Sequence, residues 1–172
     1  MSEFHIRLAK LSDAEAFHEV EEDAARLLRE EPSLEGVTIP PSSSPDEYRS
    51  MIRAGHSLAA TIDDAVVGFA ATRTYGRELH LHEMSVACAF QGKRIGATRL
   101  KALQIDARNS GMQAITLNTF RDIAWNAPFY ARHGFVIVDD IEAHPRLADS
   151  LIRAEAAGLP VERRCAMICF LD

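Results

Sequence analysis

Phe4, Ile6 and Leu8 alternate with His5, Arg7 and Ala9, the two-residue period of a strand with one buried face. From Ser12 the period lengthens. Phe17, Val20, Ala24, Leu27 and Leu28 recur at helical spacing, the Glu-rich face is left to water, and Ser12-Asp13-Ala14-Glu15 reads as a capping box. Residues 31–45, EPSLEGVTIPPSSSP, hold four prolines and a serine run, which is loop chemistry. Pro45, followed by Asp46 and Glu47, opens a second short helix that ends near Gly55. So long a loop between two helices predicts a segment that covers a substrate.

Three strand-like runs follow, 57–62, 65–74 and 79–87, with turns at Asp63-Asp64 and Tyr75-Gly76-Arg77, and they read as an antiparallel meander. Past Gln91-Gly92-Lys93-Arg94-Ile95-Gly96 the period changes to 3.6, with Ile95, Leu100, Leu103, Ile105 and Ala107 placed on one side until Ser110-Gly111. A strand at 114–118, a helix at 124–132 stopped by Gly134, a strand at 135–138, a helix at 145–157 and a last strand at 164–171 complete the order. With no repeat and no linker, the pattern predicts one α/β domain over residues 1–172 built on a mixed sheet. The strand at 164–171 is open either to pairing across a homodimer or to closing its own sheet edge.

Composition narrows the function. The 172 residues are 47% hydrophobic and 26% charged, which supports a packed core and excludes the signature of disorder. Nineteen Lys and Arg against 25 Asp and Glu give a net charge of −6, so neither nucleic acid nor a membrane surface is an expected partner. Cys88, Cys165 and Cys169 match no disulfide framework, and MSEFHIRLAK has no apolar leader region. A reducing cytoplasm is the expected setting.

Gln91 to Thr98 carries the most chemistry. A strand that enters a helix through a turn rich in glycine and basic residues leaves backbone N–H groups facing outward, which suits an anion such as a pyrophosphate. Lys93, Arg94 and Arg99 add charge, and Gly92 and Gly96 let backbone approach closely. The spacing is neither GxGxxG nor GxxxxGK[ST], so Rossmann and P-loop readings fail. A solvated basic turn is the plain alternative.

The stretch Met84-Ser85-Val86-Ala87-Cys88-Ala89-Phe90-Gln91-Gly92-Lys93-Arg94-Ile95-Gly96-Ala97 resembles the acetyl-CoA signature of the GNAT superfamily of N-acetyltransferases, with Arg94 in place of the first glycine. Downstream, Pro128-Phe129-Tyr130-Ala131-Arg132-His133-Gly134-Phe135 is similar to the family's F-Y-x-x-x-G-F segment, and the element order matches over essentially the whole chain. The resemblance implies an α/β fold with a mostly antiparallel sheet and one splayed parallel strand pair, 79–87 with 114–118. It further implies acetyl-CoA as co-substrate. The backbone of Ser85 and Val86 would meet the pantetheine, and the amides of Gln91, Gly92, Lys93, Arg94, Ile95, Gly96 and Ala97 would hold the pyrophosphate. Ile123 stands where many relatives carry asparagine, with Asn126 nearby as the candidate CoA contact.

Direct transfer to an amine needs a base for the amine and an acid for the departing thiolate. The resemblance gives the acid role to Tyr130. For the base, strict strand alternation puts His80 and His82 on one face, where neutral imidazoles suit a proton relay, and Glu83 on the other. A β-bulge would turn Glu83 into the position of the glutamate that other relatives use. His82 and Glu83, nearer the signature, are preferred over His80. The His-x-His and Pro-Phe-Tyr pieces are locally similar to arylalkylamine N-acetyltransferases. A third ligand for His80 and His82 is not readable, so no metal is expected. The expected function is acetyl transfer to a primary amine of a small molecule or peptide; the alternative is an acyl-CoA-binding sensor without turnover.

Overall fold

In the computed structural model, which describes residues 3–172, seven strands form one sheet. They are β1 (His5–Leu8), β2 (Leu58–Ile62), β3 (Ala65–Tyr75), β4 (Glu78–Val86), β5 (Ala114–Phe120), β6 (Val136–Ile137) and β7 (Arg164–Phe170), in the spatial order β1-β2-β3-β4-β5-β7-β6. Every neighbouring pair is antiparallel except β4 with β5. This is the mixed, mostly antiparallel α/β architecture with a single parallel pair that the sequence predicts. No helix among the described residues is long and apolar enough to cross a membrane.

Helices α1 (Ala14–Glu30) and α2 (Pro45–Ala54) cover one face of the sheet. Phe17, Tyr48 and Phe69 meet there, with Phe17 stacked on Phe69 at 4.3 Å between ring centroids. Helix α3 (Ile95–Asn109) covers the other face, where Leu100, Leu103 and Ala107 pack on Leu79, Leu81, Leu117 and Met167. Helices α4 (Ala127–Ala131) and α5 (Pro145–Ala156) complete the chain. Sequence period assigns most strand residues a face, register shifts in β2–β3 and β3–β4 interrupt it, and the two faces meet different chemistry below.

Several boundaries differ from the sequence reading for local reasons. Asp13, not Ser12, stands at the N-cap of the first helix, and its side chain turns back from it: the carboxylate accepts the Lys10 N–H at 2.7 Å and pairs with Arg7. A 3-10 turn at Leu11–Asp13 precedes α1. Ile105 is 45% exposed, so it is not part of the α3 core stripe; buried Arg99 occupies that side instead. Helix α4 starts only at Ala127, because Pro128 has no N–H to donate to residue 124 and fits only a first turn. Of the strand read at 135–138, only Val136 and Ile137 pair, since Phe135 turns into the core. The C-terminal strand lies inside the sheet between β5 and β6, not at an edge.

Candidate active site

The parallel pairing of β4 and β5 covers only Glu78 with Ala114, Leu79 with Ile115 and His80 with Thr116. Both strands continue, to Val86 and Phe120, without pairing to each other. The sheet is therefore open between them. A cleft of about 800 Å³ occupies the opening and is lined from both faces, by Glu21, Ser43 and Glu83 on the α1/α2 face and by Gly96, Phe129 and Tyr130 on the α3 face.

On the α3 face the cleft ends at the turn before α3. Gly92 has φ +77° and Arg94 is left-handed at φ 62°, ψ 13°. The first α-helical bond here runs from the Thr98 N–H to the Arg94 carbonyl, so the amides of Ile95, Gly96 and Ala97 precede the ladder and stay available to an anion. The Gln91 side chain ties the turn to the strand, donating to the Val86 carbonyl at 3.0 Å. Gln91, Gly92, Arg94, Ile95, Gly96 and Ala97 line the cleft, as do Ser85, Val86 and Asn126. Lys93 does not: its ammonium lies over the Phe90 ring at 5.3 Å, outside the lining. Asn126 Oδ1 accepts the Thr119 hydroxyl at 2.6 Å, which leaves its amide N–H groups for a ligand. These donors, with backbone free to approach at Gly92, fit a pyrophosphate-bearing group such as CoA.

Strand β4 carries a bulge. Ala71 pairs with Glu83 and Thr72 with Leu81, so His82 is the extra residue. Strict alternation fails here: Leu81 and Met84 face α3, whereas His80, His82 and Glu83 all fall on the α1/α2 face. His82 Nε2 meets the Ser43 hydroxyl at 3.0 Å, pinning the loop before α2 to the strand. Burial, reinforced by Arg73, lowers the His82 pKa. His80 is buried elsewhere. Its Nδ1 lies 2.9 Å from Thr116 Oγ1 and 3.3 Å from Arg146, whose N–H can only donate, so His80 is a neutral acceptor with its pKa pushed down by burial to about 3. His80 does not line the cleft, and the two imidazoles form no relay there.

Glu83 accepts the Ser85 hydroxyl at 2.8 Å. A second carboxyl, Glu21 from α1, stands near it and accepts the Ser43 N–H at 3.0 Å and the Tyr48 hydroxyl. Burial raises the pKa of both, and the charge of Glu83 helps push Glu21 up to about 8, so the pair holds a proton at neutral pH. Tyr130 packs edge-on against Phe129 and Phe135, and its hydroxyl has no protein partner among the described residues. Burial and then Glu83 raise its pKa, which keeps the phenol protonated. Arg99, 1% exposed, donates to the Ser85 carbonyl at 2.9 Å. Burial lowers its pKa to about 10, so it stays cationic at neutral pH, facing Tyr130 and Glu83.

Residues 28–144 match the acetyltransferase (GNAT) domain family, well over half of the chain. The chain belongs to that family. Among solved structures, this GNAT acetyltransferase is similar to Ard1 from Thermoplasma volcanium at 18% identity and TM-score 0.68, covering 98% of each chain. It is similar to the PaiA N-acetyltransferase of Thermoplasma acidophilum in complex with coenzyme A at 16% identity and TM-score 0.70, covering 98% of this chain and 99% of that one. The ribosomal-protein-S18-alanine N-acetyltransferase of Escherichia coli matches at 15% identity and TM-score 0.68, over 99% of this chain and 95% of that one. At such identities the likeness is one of fold.

Sequence reasoning put Glu21 on a solvated face. The signal was present: Glu21 lies four residues after Phe17 and three before Ala24, on the apolar stripe of α1. Tyr48, Asn118 and Arg164, which also belong to the site or its walls, had no local signal, because only the sheet brings them together.

Proposed function

We propose that this GNAT acetyltransferase carries an acetyl group from acetyl-CoA directly to a primary amine of a small molecule or peptide. One observation carries the reading: a single cleft crosses the sheet, with an anion-accepting turn at its α3 side and a carboxyl pair at its α1/α2 side. When bound, acetyl-CoA supplies the thioester-activated acyl group.

The chain's own residues do the rest. The amides of Gly92, Arg94, Ile95, Gly96 and Ala97 hold the pyrophosphate and Gln91, whose own N–H is donated to the Cys88 carbonyl, shapes the turn through its side chain, while Asn126 and the edge of β4 at Ser85 and Val86 that faces the opening offer hydrogen bonds to the pantetheine arm. Glu83, sharing charge with Glu21, attracts an ammonium and takes its proton, so that the amine attacks as a neutral nucleophile. Tyr130 keeps its proton at neutral pH and delivers it to the leaving sulfur. His82 holds the loop at Ser43 over the acceptor side. Arg99 steadies the Ser85 carbonyl and the negative charge around it. Cys88, Cys165 and Cys169 are free thiols, which supports a reducing cytoplasmic setting.

The test is calorimetric titration with acetyl-CoA, followed by thiol release against small amines, polyamines, amino acids and short peptides. Binding with thiol release for one acceptor class is the expected result. Binding with no release for any acceptor would favour the sensor alternative, and no binding would remove the co-substrate.

A further inference from the structure

On the α1/α2 face of the cleft, Arg164 lacks the partner its chemistry calls for. Its guanidinium lies over the Phe120 ring at 4.9 Å, which occupies one flat face and leaves the N–H edges free. Nε is buried with no acceptor, and among the described residues no carboxylate comes within ion-pair distance. The adjacent Arg163, by contrast, is paired to Asp122 at 2.9 Å. A buried cation without an anion is costly, and burial does lower the Arg164 pKa.

A second unsatisfied atom stands beside it. Asn118 lies two residues before Phe120 on β5, and Phe120 pairs with Arg164 in the ladder. Its amide nitrogen donates to the Ser150 hydroxyl at 2.5 Å, while Oδ1 is buried with no donor. Asn118 and Arg164 both line the cleft, as does Glu83, whose charge reaches Arg164. One cleft is thus lined by an unpaired cation, an unused acceptor and a carboxyl pair. The same side is walled by Leu27, Leu28, Ile39 and Leu159.

We propose that the acceptor is an α-amino acid with an apolar side chain, its carboxylate held by Arg164 and its ammonium directed to Glu83 and Asn118 Oδ1. An α-amino acid bears on one carbon both the anion that Arg164 lacks and the donor that Asn118 Oδ1 lacks. Arg164 Nε and Asn118 Oδ1, two of the three buried side-chain atoms left unsatisfied among the described residues, then acquire partners. The pyrophosphate turn lies on the opposite face, so CoA's phosphates are not the missing anion. The inference rests on the acetyl-transfer reading and narrows its acceptor.

The experiment compares leucine with isopentylamine and leucinamide, which lack the carboxylate, using acetyl-CoA and thiol release, in the full-length protein and in Arg164→Gln and Arg164→Lys. Leucine is expected to exceed both analogues by roughly 30-fold or more in kcat/KM, the range for a buried charge pair losing one partner. Arg164→Gln is expected to erase that preference through KM while the acetyl-CoA Kd and melting temperature stay near wild type, with partial recovery in Arg164→Lys. Equal or better turnover of the carboxylate-free amines, or an Arg164→Gln variant with unchanged preference, would overturn the inference and leave the acetyltransferase reading intact. Acetyl-CoA binding with no turnover of leucine would overturn it as well. Absence of acetyl-CoA binding would remove the parent reading and this one with it.

Discussion

The Tyr48 hydroxyl donates to the same oxygen of Glu21, Oε2, that accepts the Ser43 N–H. One carboxylate on α1 therefore ties together α2, the loop that precedes it and the wall of the cleft. Its charge is expensive there, because burial and Glu83 both oppose ionisation.

That cost sets the pH dependence of stability. Unfolded, Glu21 titrates near 4.5; folded, it is raised to about 8. Between those values the folded chain holds a proton that the unfolded chain has lost, so this group's stability contribution is full below about 4.5 and disappears as pH rises through about 8. Glu21→Gln, whose amide oxygen still accepts from Tyr48 and Ser43, lacks that loss. Its melting temperature relative to wild type should climb from pH 5 to about pH 8 and level off above it. Parallel melting curves across that range would show that Glu21 is already ionised in the folded protein.

Turnover should rise with pH as the Glu21–Glu83 pair gives up its shared proton, because an unprotonated carboxylate is what accepts the proton of the amine. Glu83→Gln is expected to lower kcat by about 100-fold or more and to flatten this limb of the profile. Acetyl-CoA affinity, measured by calorimetry, should change little.

Tyr130→Phe keeps the ring that packs on Phe129 and Phe135 and removes only the unpartnered hydroxyl. The expected outcome is a kcat loss of about 100-fold with nearly unchanged acetyl-CoA affinity. An unchanged kcat would assign the proton donation elsewhere.

Much of this architecture is legible in residue periods. Phe17, Val20 and Ala24 mark the inner side of α1, and Leu100, Leu103 and Ala107 that of α3, because a stripe repeating every three to four residues has only one way to face a sheet. The turn at 91–97 is legible for the same reason: glycines and basic residues sit where period two becomes period 3.6. What the periods miss arises between segments. The His82 bulge exists because β3 and β4 slip by one residue, and nothing in HLHEMS alone announces it. Arg164 and Phe120 lie far apart in sequence and become neighbours through β5–β7 pairing. Ile105 misled because an apolar residue on a helix need not face inward, and Lys93 because a flexible cation next to an anion site found an aromatic ring instead.

Arg94 stores backbone strain where the family signature has glycine. A left-handed conformation costs a side-chain-bearing residue roughly 1 kcal/mol or more. Arg94→Gly should therefore raise the melting temperature by about 2–4 °C for a chain of this size. A fall in melting temperature would mean that the arginine side chain contributes more to the fold than its backbone costs.

The short register between β4 and β5 also bears on the order of events in a catalytic cycle. Pairing that stops at His80 and Thr116 leaves an aperture reached from two sides, so on the proposed reading donor and acceptor enter through separate doors. Neither has to depart before the other arrives, and no residue has to carry the acyl group across an interval between visits. Initial-rate plots for such a protein consist of intersecting lines, not parallel ones, and an inhibitor lodged at either mouth leaves the other substrate free to bind.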